Sequence, residues 1–494
     1  MTVNTNKPRH VRIGPEYWRI LRRGNARIRE IVATVANPAT SGYIYATLRQ
    51  AAVLDVRQFI DEQPFSRYQL LVASLCGMVV FIDGFDAQIM GPVAPVLSAQ
   101  LHVARPVLGS VISSGTFGMM IGALIFGPLA DRFGRKPVLI ACALTFGIGS
   151  LLTATATSVA QLMAYRVFTG FGMGGAMPNA IALTSEYMPK RSRNAAVMTM
   201  FAGFSFGSAF AGWTVAALIR NYGWQSIFLV GGSIPIVVAM LLIAFLPESI
   251  RFLVVKGGDT EKVSGYLKRI APAMPEADEL VVGSDEHHSG GSSSVGQLFT
   301  EGRALVTLLL WVMFFMNLLN LWFLNNWLPT IMTDAGIKVE TASLITSLFQ
   351  IGGLIGALAL AGLVGRRLSF RILALTYFAA AIFIFLIGNA GASIPLLVMT
   401  VFASGVGVIG GQTVSNALSA DYYPTAIRAT GVGWSLGIGR VGSILGPILG
   451  GFLLSYGGTA RHVFWAAAIP ALIATIAAMT VSARNSASDS TRKA

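Results

Sequence analysis

Two carboxylates, Asp83 and Asp86, interrupt the apolar stretch VVFIDGFDAQIMGP at residues 79–92. On a helix, a spacing of three puts them on one face with Cβ atoms roughly 5–6 Å apart. Two anions so close cannot both stay ionised cheaply away from water, so one of them is expected to be protonated or matched by a cation at any moment. A carboxyl that takes up and releases a proton inside an apolar segment is the chemistry that proton coupling requires. Only two arginines fall well inside comparable stretches, Arg166 and Arg440. Arg166 is the expected partner of the aspartates. Arg440 has no acid in its own segment, and a guanidinium so placed calls for an anion, its two-pronged geometry matching a carboxylate.

These residues need an apolar frame, and the composition supplies one. Of the 494 residues, 54% are apolar and 12% charged, with a mean hydropathy of +0.65; soluble domains carry about a quarter charged residues. Stretches of the roughly 20 residues that a helix needs to cross a bilayer recur along the whole length. Twelve are predicted, at 68–97, 107–129, 138–156, 161–184, 195–219, 226–246, 305–328, 343–364, 372–387, 394–418, 431–454 and 463–481. The expected fold class is therefore an all-α polytopic membrane protein of twelve transmembrane helices. An ionised side chain at the centre of such a span costs several kcal/mol, which marks Asp83, Asp86, Arg166 and Arg440 as functional candidates.

A net charge of +14 does not signal nucleic acid here, because the basic residues sort by side of the membrane. One set of loops carries Arg132, Arg135 and Lys136, then Lys190, Arg191 and Arg193, then Arg366, Arg367 and Arg371, then Arg428, with Arg484, Arg492 and Lys493 after the last span. The alternate loops hold little beyond Arg105, Arg220, Lys338 and Arg461. The positive-inside rule then places both termini in the cytoplasm of a multi-pass protein. Residues 1–67 read as a cytoplasmic tail, with eleven Lys or Arg against five Asp or Glu, including the run RILRRGNARIRE, whose basic face suits anionic lipid headgroups. Cys76 and Cys142 lie within spans and read as small core residues. The five histidines, His10, His102, His287, His288 and His462, all fall in tails or loops, so no metal site, catalytic constellation or cofactor is expected.

The chain repeats itself. A shift of 235 residues lays Gly170, Gly172 and Gly175 over Gly405, Gly407 and Gly410, and Glu186, Tyr187, Pro189 and Arg193 over Asp421, Tyr422, Pro424 and Arg428. A shift of 234 pairs Pro95 with Pro329 and Arg132 with Arg366, and sets Asp83 and Asp86 against Asn317 and Asn320. The charge thus sits in one copy only, and Asn317 and Asn320 are candidates for holding a substrate without titrating. Two six-helix bundles are expected, at 68–250 and 304–482, joined by a cytoplasmic segment 251–303 that contains the Gly/Ser-rich stretch GSDEHHSGGSSS, with a short tail at 483–494. Repeated bundles of this kind place a substrate near the midplane and expose it alternately to either side.

The loop GPLADRFGRKP at 127–137 resembles the signature of the major facilitator superfamily. Gly127 and Gly134 permit a tight turn, Asp131 can accept bonds from the amino end of a neighbouring helix, and Arg132, Arg135 and Lys136 hold the loop at the cytoplasmic face. Such a loop would latch one conformation. The second copy, AGLVGRRLSF, has Gly365 where Asp131 would stand, so the second latch is incomplete. Within the superfamily, DGFD in span one, RVFTGFGMGG in span four, SEYMPKRSRN after it, NNWLPTIM ending span seven, and YYPTAIRATGVGWSLGIGRVGSILGP into span eleven resemble the aromatic acid:proton symporters. The resemblance implies import of a benzoate- or hydroxybenzoate-like acid across the bacterial cytoplasmic membrane, with Asp83, Asp86, Arg428 and Arg440 functional. The expected partners are a small aromatic acid, a proton and the lipid bilayer, the chain acting as a monomer without nucleic acid.

Other readings stay open. A proton-driven exporter of drugs or metabolites is suggested by GSILGPILGG at 442–451, and a sugar or organic-acid porter shares the same superfamily and the helix-end residue Glu248. A membrane enzyme or sensor finds no support in the spans. Phe85, Phe206, Trp322 and Trp434 are candidates for stacking on a ring, and the glycines around Arg440, Gly437, Gly439 and Gly442, are expected to leave room for a ligand.

Overall fold

A computed structural model of the chain describes residues 53–256, 260–272, 274, 279–281, 295–367, 370–424, 427–456 and 459–493. The basic run at 19–30, His10, His287, His288 and the Gly/Ser-rich stretch at 283–294 lie outside them, as do the side chains of 361–369, and with these the comparison of Gly365 with Asp131. The elements run β1 (Val53–Asp55), α1 (Val56–Glu62), α2 (Arg67–Leu101), α3 (Arg105–Phe133), α4 (Arg135–Ala154), α5 (Val159–Tyr187), α6 (Lys190–Phe245), α7 (Ile250–Val255), α8 (Thr260–Ile270), β2 (Glu279–Val281), a 3-10 turn (Val295–Phe299), α9 (Ala304–Asp334), α10 (Val339–Arg367), α11 (Phe370–Asn389), α12 (Ile394–Tyr422), α13 (Arg428–Ser455) and α14 (Ala460–Lys493). Among the described residues, ten helices are long and apolar enough to span a membrane. One of them, α6, crosses twice, because Gly223 at φ +73° breaks it. The glycine-rich α5, diluted by Arg166, completes the twelve crossings.

The internal repeat is legible contact by contact. Gly170 on α5 lies against the carbonyl of Gly115 on α3, and its counterpart Gly405 on α12 against that of Phe349 on α10. Gly118 faces Val167 as Gly352 faces Phe402, and Gly207 faces Phe81 as Gly442 faces Phe315. Small residues let helix backbones touch where lipid offers no hydrophobic drive between them. In the first half α2 packs on α6 and α3 on α5; in the second, α9 packs on α13 and α10 on α12. The halves meet along α3–α13 and α6–α10, with α2 against α9.

The two ends of this boundary differ. At the end carrying the α2–α3 and α9–α10 loops, one hydrophobic cluster takes residues from both halves, among them Val93, Leu108, Trp327 and Ile331. Arg105 there pairs with Asp334 at 2.8 Å, and Ser113 donates to the carbonyl of Ile444 at 2.7 Å. At the opposite end the buried clusters are separate: one is confined to the first half with α1, α7 and α8, and the other to the second half. The molecule is closed at the first end and parted at the second.

Parts of the sequence outside the spans are folded onto the first half. β1 pairs in parallel with β2, Leu54 opposite Leu280, and Val56 and Ile60 of α1 share a buried cluster with Ile250, Val263 and Leu267. The loop at 127–137 turns at Gly134, φ +101°, directly into α4. The acid at that amino end is not Asp131, which is exposed, but Glu248: its carboxylate accepts from the backbone nitrogens of Arg135 at 2.7 Å and Lys136 at 3.1 Å. A carboxylate there satisfies donors that helix geometry leaves open. Arg135 pairs with Glu186 at 3.1 Å, and Lys136 donates to the carbonyl of Ile243 at 3.0 Å.

A Cβ on Gly405 would sit 2.0 Å from the Phe349 carbonyl oxygen, whereas one on Gly433 would meet nothing within 4 Å. Forcing backbones apart costs about 1–3 kcal/mol. Gly405→Ala should therefore cut the recovery of monodisperse protein several-fold in size-exclusion of a fluorescent fusion, and Gly433→Ala should leave it unchanged; equal recovery of the two would show that this contact is not tight in the membrane.

Candidate substrate and proton site

Asp83 and Asp86 are both buried on α2, 5% and 2% exposed, but they have different surroundings. Asp86 is clasped by Arg166 of α5 in a two-pronged pair, Nη1 to Oδ1 and Nη2 to Oδ2, both at 2.8 Å. Arg166 is 4% exposed, its guanidinium carbon stands 5.9 Å from the centre of the Phe228 ring, and Gly115 leaves it room, a Cβ there falling 3.1 Å from Nη2. The expected partnership of Arg166 with both aspartates is thus corrected to one. Asp83 makes no ion pair, and its Oδ1 is buried without a hydrogen-bond partner. Its charge is felt instead by Arg440, across the boundary between the halves.

Arg440 has no acid in its own span, as expected, and the carboxyl that influences it, Asp83, belongs to the other half. The Arg440 side chain is half-buried, and Nη1 lies 3.0 Å from the sulfur of Met119 on α3. The glycines around it divide. Gly439 and Gly442 are filled by α9, their Cβ positions lying 2.5 Å from Leu318 Cδ1 and 2.3 Å from the Phe315 carbonyl oxygen, so they pack helices and leave no room for a ligand. Gly437 and Gly433, three and seven residues before Arg440 and so on its own face, have nothing within 4 Å. Arg428 is not brought here. It is exposed at the start of α13, and its Nε donates to the carbonyl of Tyr423 at 3.3 Å, as Arg193 in the first half donates to the carbonyl of Met188 at 3.2 Å. Both fasten a helix corner.

In the second half, Asn317 donates to the Val408 carbonyl at 3.2 Å and to Gln412 at 2.7 Å. Asn320, 1% exposed, has neither its amide nitrogen nor its oxygen bonded. A buried amide in that state forfeits about 1–3 kcal/mol. A small cavity of about 10 Å³, the scale of one water, touches Asp86, Arg166, Met119 and Met173 and is walled on the other side by Trp322 and Asn326 of α9. Of the four candidate aromatics only Trp322 reaches it: Phe85 packs against Phe210, Phe206 is exposed, and Trp434 stacks on Trp311. The sequence reading missed an amide cluster across the boundary, in which Gln350 donates to Asn325 at 2.8 Å and to Gln88 at 3.3 Å, and Asn325 donates to the carbonyl of Ala87 at 3.3 Å. Amides inside otherwise apolar spans were the signal, present in NNWLPTIM itself.

Long apolar helices in two repeated sets, closed over a charge-bearing centre, define a polytopic membrane transporter. A family model described as sugar (and other) transporter matches residues 39–483. The 4-hydroxybenzoate transporter PcaK of Pseudomonas putida is 42% identical over 424 residues, 86% of this chain and 94% of that protein. The gallate transporter of Pseudomonas putida is 39% identical over 86% of this chain and 94% of its own length, and the benzoate transport protein of Acinetobacter baylyi 33% over 87% and 93%. Among solved structures, the xylose transporter XylE from E. coli in a partially occluded inward open conformation superposes with a TM-score of 0.64 at 17% identity, over 83% of this chain and 97% of that one. The chain belongs to the sugar (and other) transporter family, and within the major facilitator superfamily to its aromatic-acid transporters; it is not an enzyme.

Breaking a buried ion pair by removing one partner costs about 3–5 kcal/mol because the other charge is stranded. Asp86→Asn and Arg166→Gln should each lower thermal stability markedly in detergent, and the double variant should recover much of the loss. Additive losses would mean that the two side chains do not depend on one another.

Proposed function

We propose that this protein imports an aromatic carboxylate of the benzoate or hydroxybenzoate class together with a proton, across a bacterial cytoplasmic membrane, as a monomer with both termini inside. The observation that carries the reading is the pair Asp83 and Arg440, one on each half: a buried carboxyl with an oxygen that has no hydrogen-bond partner, and a guanidinium that donates to the sulfur of Met119. The names of the relatives supply the substrate class. The basic residues of the alternate loops support a direction of the chain in which the parted end of the boundary faces the cytoplasm.

Coupling follows from charge balance. In the unloaded site the Asp83 carboxylate offsets Arg440. A substrate carboxylate docking on the Arg440 guanidinium takes over that role, and Asp83 takes up a proton. Loaded and unloaded sites then carry equal net charge. Substrate alone leaves an excess negative charge in the apolar interior and a proton alone an excess positive one, and either raises the cost of closing the bundle over the site. Asp86 stays with Arg166 and holds α2 and α5 in register. The open face of Gly433 and Gly437 admits the ring, Trp322 and the sulfur of Met119 pack on it, and Asn320 bonds a ring hydroxyl. The latch at Gly127, Asp131, Arg132, Gly134, Arg135 and Lys136 is held within the first half while that side is parted, and it engages the second half when that side closes. The glycines of 442–451 face α9 and α3 as packing residues, which gives the exporter reading nothing of its own.

In proteoliposomes, a pH gradient should drive accumulation of labelled 4-hydroxybenzoate, while a membrane potential without a pH gradient should drive none, since acid and proton together carry no charge. Asp83→Asn should abolish accumulation yet keep exchange of internal for external substrate, and Arg440→Lys should weaken affinity about tenfold or more by losing the fork. Full accumulation by Asp83→Asn, or accumulation driven by potential alone, would sink the scheme.

The latch makes a separate claim. Asp131→Asn should slow turnover while leaving substrate affinity nearly unchanged, because it shifts a conformational balance and not a contact with the ligand; a change confined to affinity would remove Asp131 from that role.

A further inference from the structure

The hydrogen bond from Nη1 of Arg440 to the sulfur of Met119, at 3.0 Å, joins α13 of the second half to α3 of the first. Six residues before Met119, Ser113 bonds to the Ile444 carbonyl at the closed end. Six residues of helix rise about 9 Å, so the Met119 contact lies that far along α3 towards the parted end. Both partners stand on fixed backbone. The Cβ positions of Gly170 and Gly174 on α5 fall 3.0 Å from the Met119 backbone nitrogen and 2.1 Å from its carbonyl oxygen, so this turn of α3 is held at backbone contact. On α13, Gly439 and Gly442 press against α9 beside Arg440. Met119 is 7% exposed and walls the small cavity that also touches Asp86 and Arg166. Packing thus aims at the guanidinium an uncharged thioether, one of the weakest acceptors a side chain offers.

We propose that Met119 is a positioning residue for Arg440: its sulfur occupies one prong of the guanidinium while the site is empty and yields it to the substrate carboxylate. The inference rests on the reading that Arg440 binds that carboxylate. Three properties of the thioether fit the task. Its bond keeps a long side chain in one arrangement across the boundary, so less ordering is left for the substrate to impose. Bringing no charge, it leaves the attraction of Arg440 for an anion intact, where a carboxylate in its place would cancel it. Accepting weakly, it is displaced at little cost when a charge-assisted bond replaces it. Release runs the exchange backwards, and the guanidinium returns to the sulfur as the acid leaves. In the loaded site the freed sulfur is left to the ring, a contact that thioethers favour. Because the partners belong to different halves, the arginine is held this way only in conformations that keep α3 against α13 at this depth.

The test measures binding of 4-hydroxybenzoate and of its uncharged amide, 4-hydroxybenzamide, to the full-length protein in nanodiscs. The ratio of the two affinities isolates the carboxylate, since contacts to the ring cancel. Met119→Leu keeps the volume and removes the acceptor, so the acid has no bond to displace and the ratio should rise roughly two- to threefold. Met119→Gln sets a better acceptor, a carbonyl oxygen, against the guanidinium at similar length, and the ratio should fall by up to about tenfold. A residue that served packing alone would weaken acid and amide together and leave the ratio where it was. In the unaltered protein carrying methyl-13C methionine, the Met119 resonance should shift further with the acid than with the amide, which gives a decision without a variant. Ratios that move in the same direction in the two variants, no rise with Leu, or equal resonance shifts overturn the role. Arg440→Lys separates this inference from the reading beneath it. If that variant keeps the native ratio, the carboxylate site is misplaced and both fall; if it collapses the ratio while Met119→Leu fails to raise it, the role of Met119 alone is overturned.

Discussion

Charge balance in an interior without water is the constraint on which the rest of this structure depends. Four ionisable side chains lie near the middle of the bundle, and they are handled in two ways. Asp86 and Arg166 close on each other within the first half at 2.8 Å, so that pair can move as part of one rigid body. Asp83 and Arg440 belong to different halves and do not close. Any motion of one half against the other changes their separation, and any third charge entering between them changes what each must balance. A transporter needs a group whose favourable state depends on both occupancy and conformation, and only a pair divided by the moving boundary has that property.

Placement of those charges rests on close helix packing. Asp83 and Asp86 flank Gly84, whose own Cβ position would fall 2.0 Å from the Phe204 carbonyl oxygen. α6 therefore holds α2 at backbone contact beside the acids, and Ser208 adds a hydrogen bond to the carbonyl of Gly84 at 2.8 Å. The repeat puts the same contact in the second half, where Leu318 stands in place of Gly84 and reaches the Gly439 position by a side-chain methyl. One architecture thus serves two chemistries. The first copy buries carboxylates, which need proton or cation; the second buries amides, which bond without titrating.

Length and apolarity made the twelve crossings legible, because no other arrangement hides backbone polar groups in lipid. Even so, α5 reads weakly on hydropathy, its glycines and Arg166 being the signs of a helix surrounded by protein. That the span-one acids needed a cation was legible from cost alone. Which acid would have Arg166 was not: both lie on one face of α2, and the choice is set by the rotation of α5, which spacing along the chain does not encode. The same limit explains Glu248, 113 residues from Arg135, where Asp131 was the nearer acid in sequence. Gly439 and Gly442 failed for a related reason, since glycines at a spacing of three describe equally a groove for a helix and a gap for a ligand. Arg428 was carried by resemblance, and its bond to Tyr423 belongs to a helix corner.

The boundary itself combines two kinds of contact with different responses to water. Apolar residues at the closed end, Val93, Leu108, Trp327 and Ile331 among them, give a seal whose strength scales with the area hidden. The amides Gln88, Asn325 and Gln350 bond across the same boundary nearer the acids. When the closed end opens, water can replace those amide bonds at small net change, about 0.5–1.5 kcal/mol each, so they fix the register of the closed state without locking it. An ion pair in their place would resist opening far more, because separating it would strand charge on both halves. The ion pair at that end, Arg105 with Asp334, is partly exposed to water, where separating charges costs little, so the large electrostatic term falls on Asp83 and Arg440, where substrate and proton can change it.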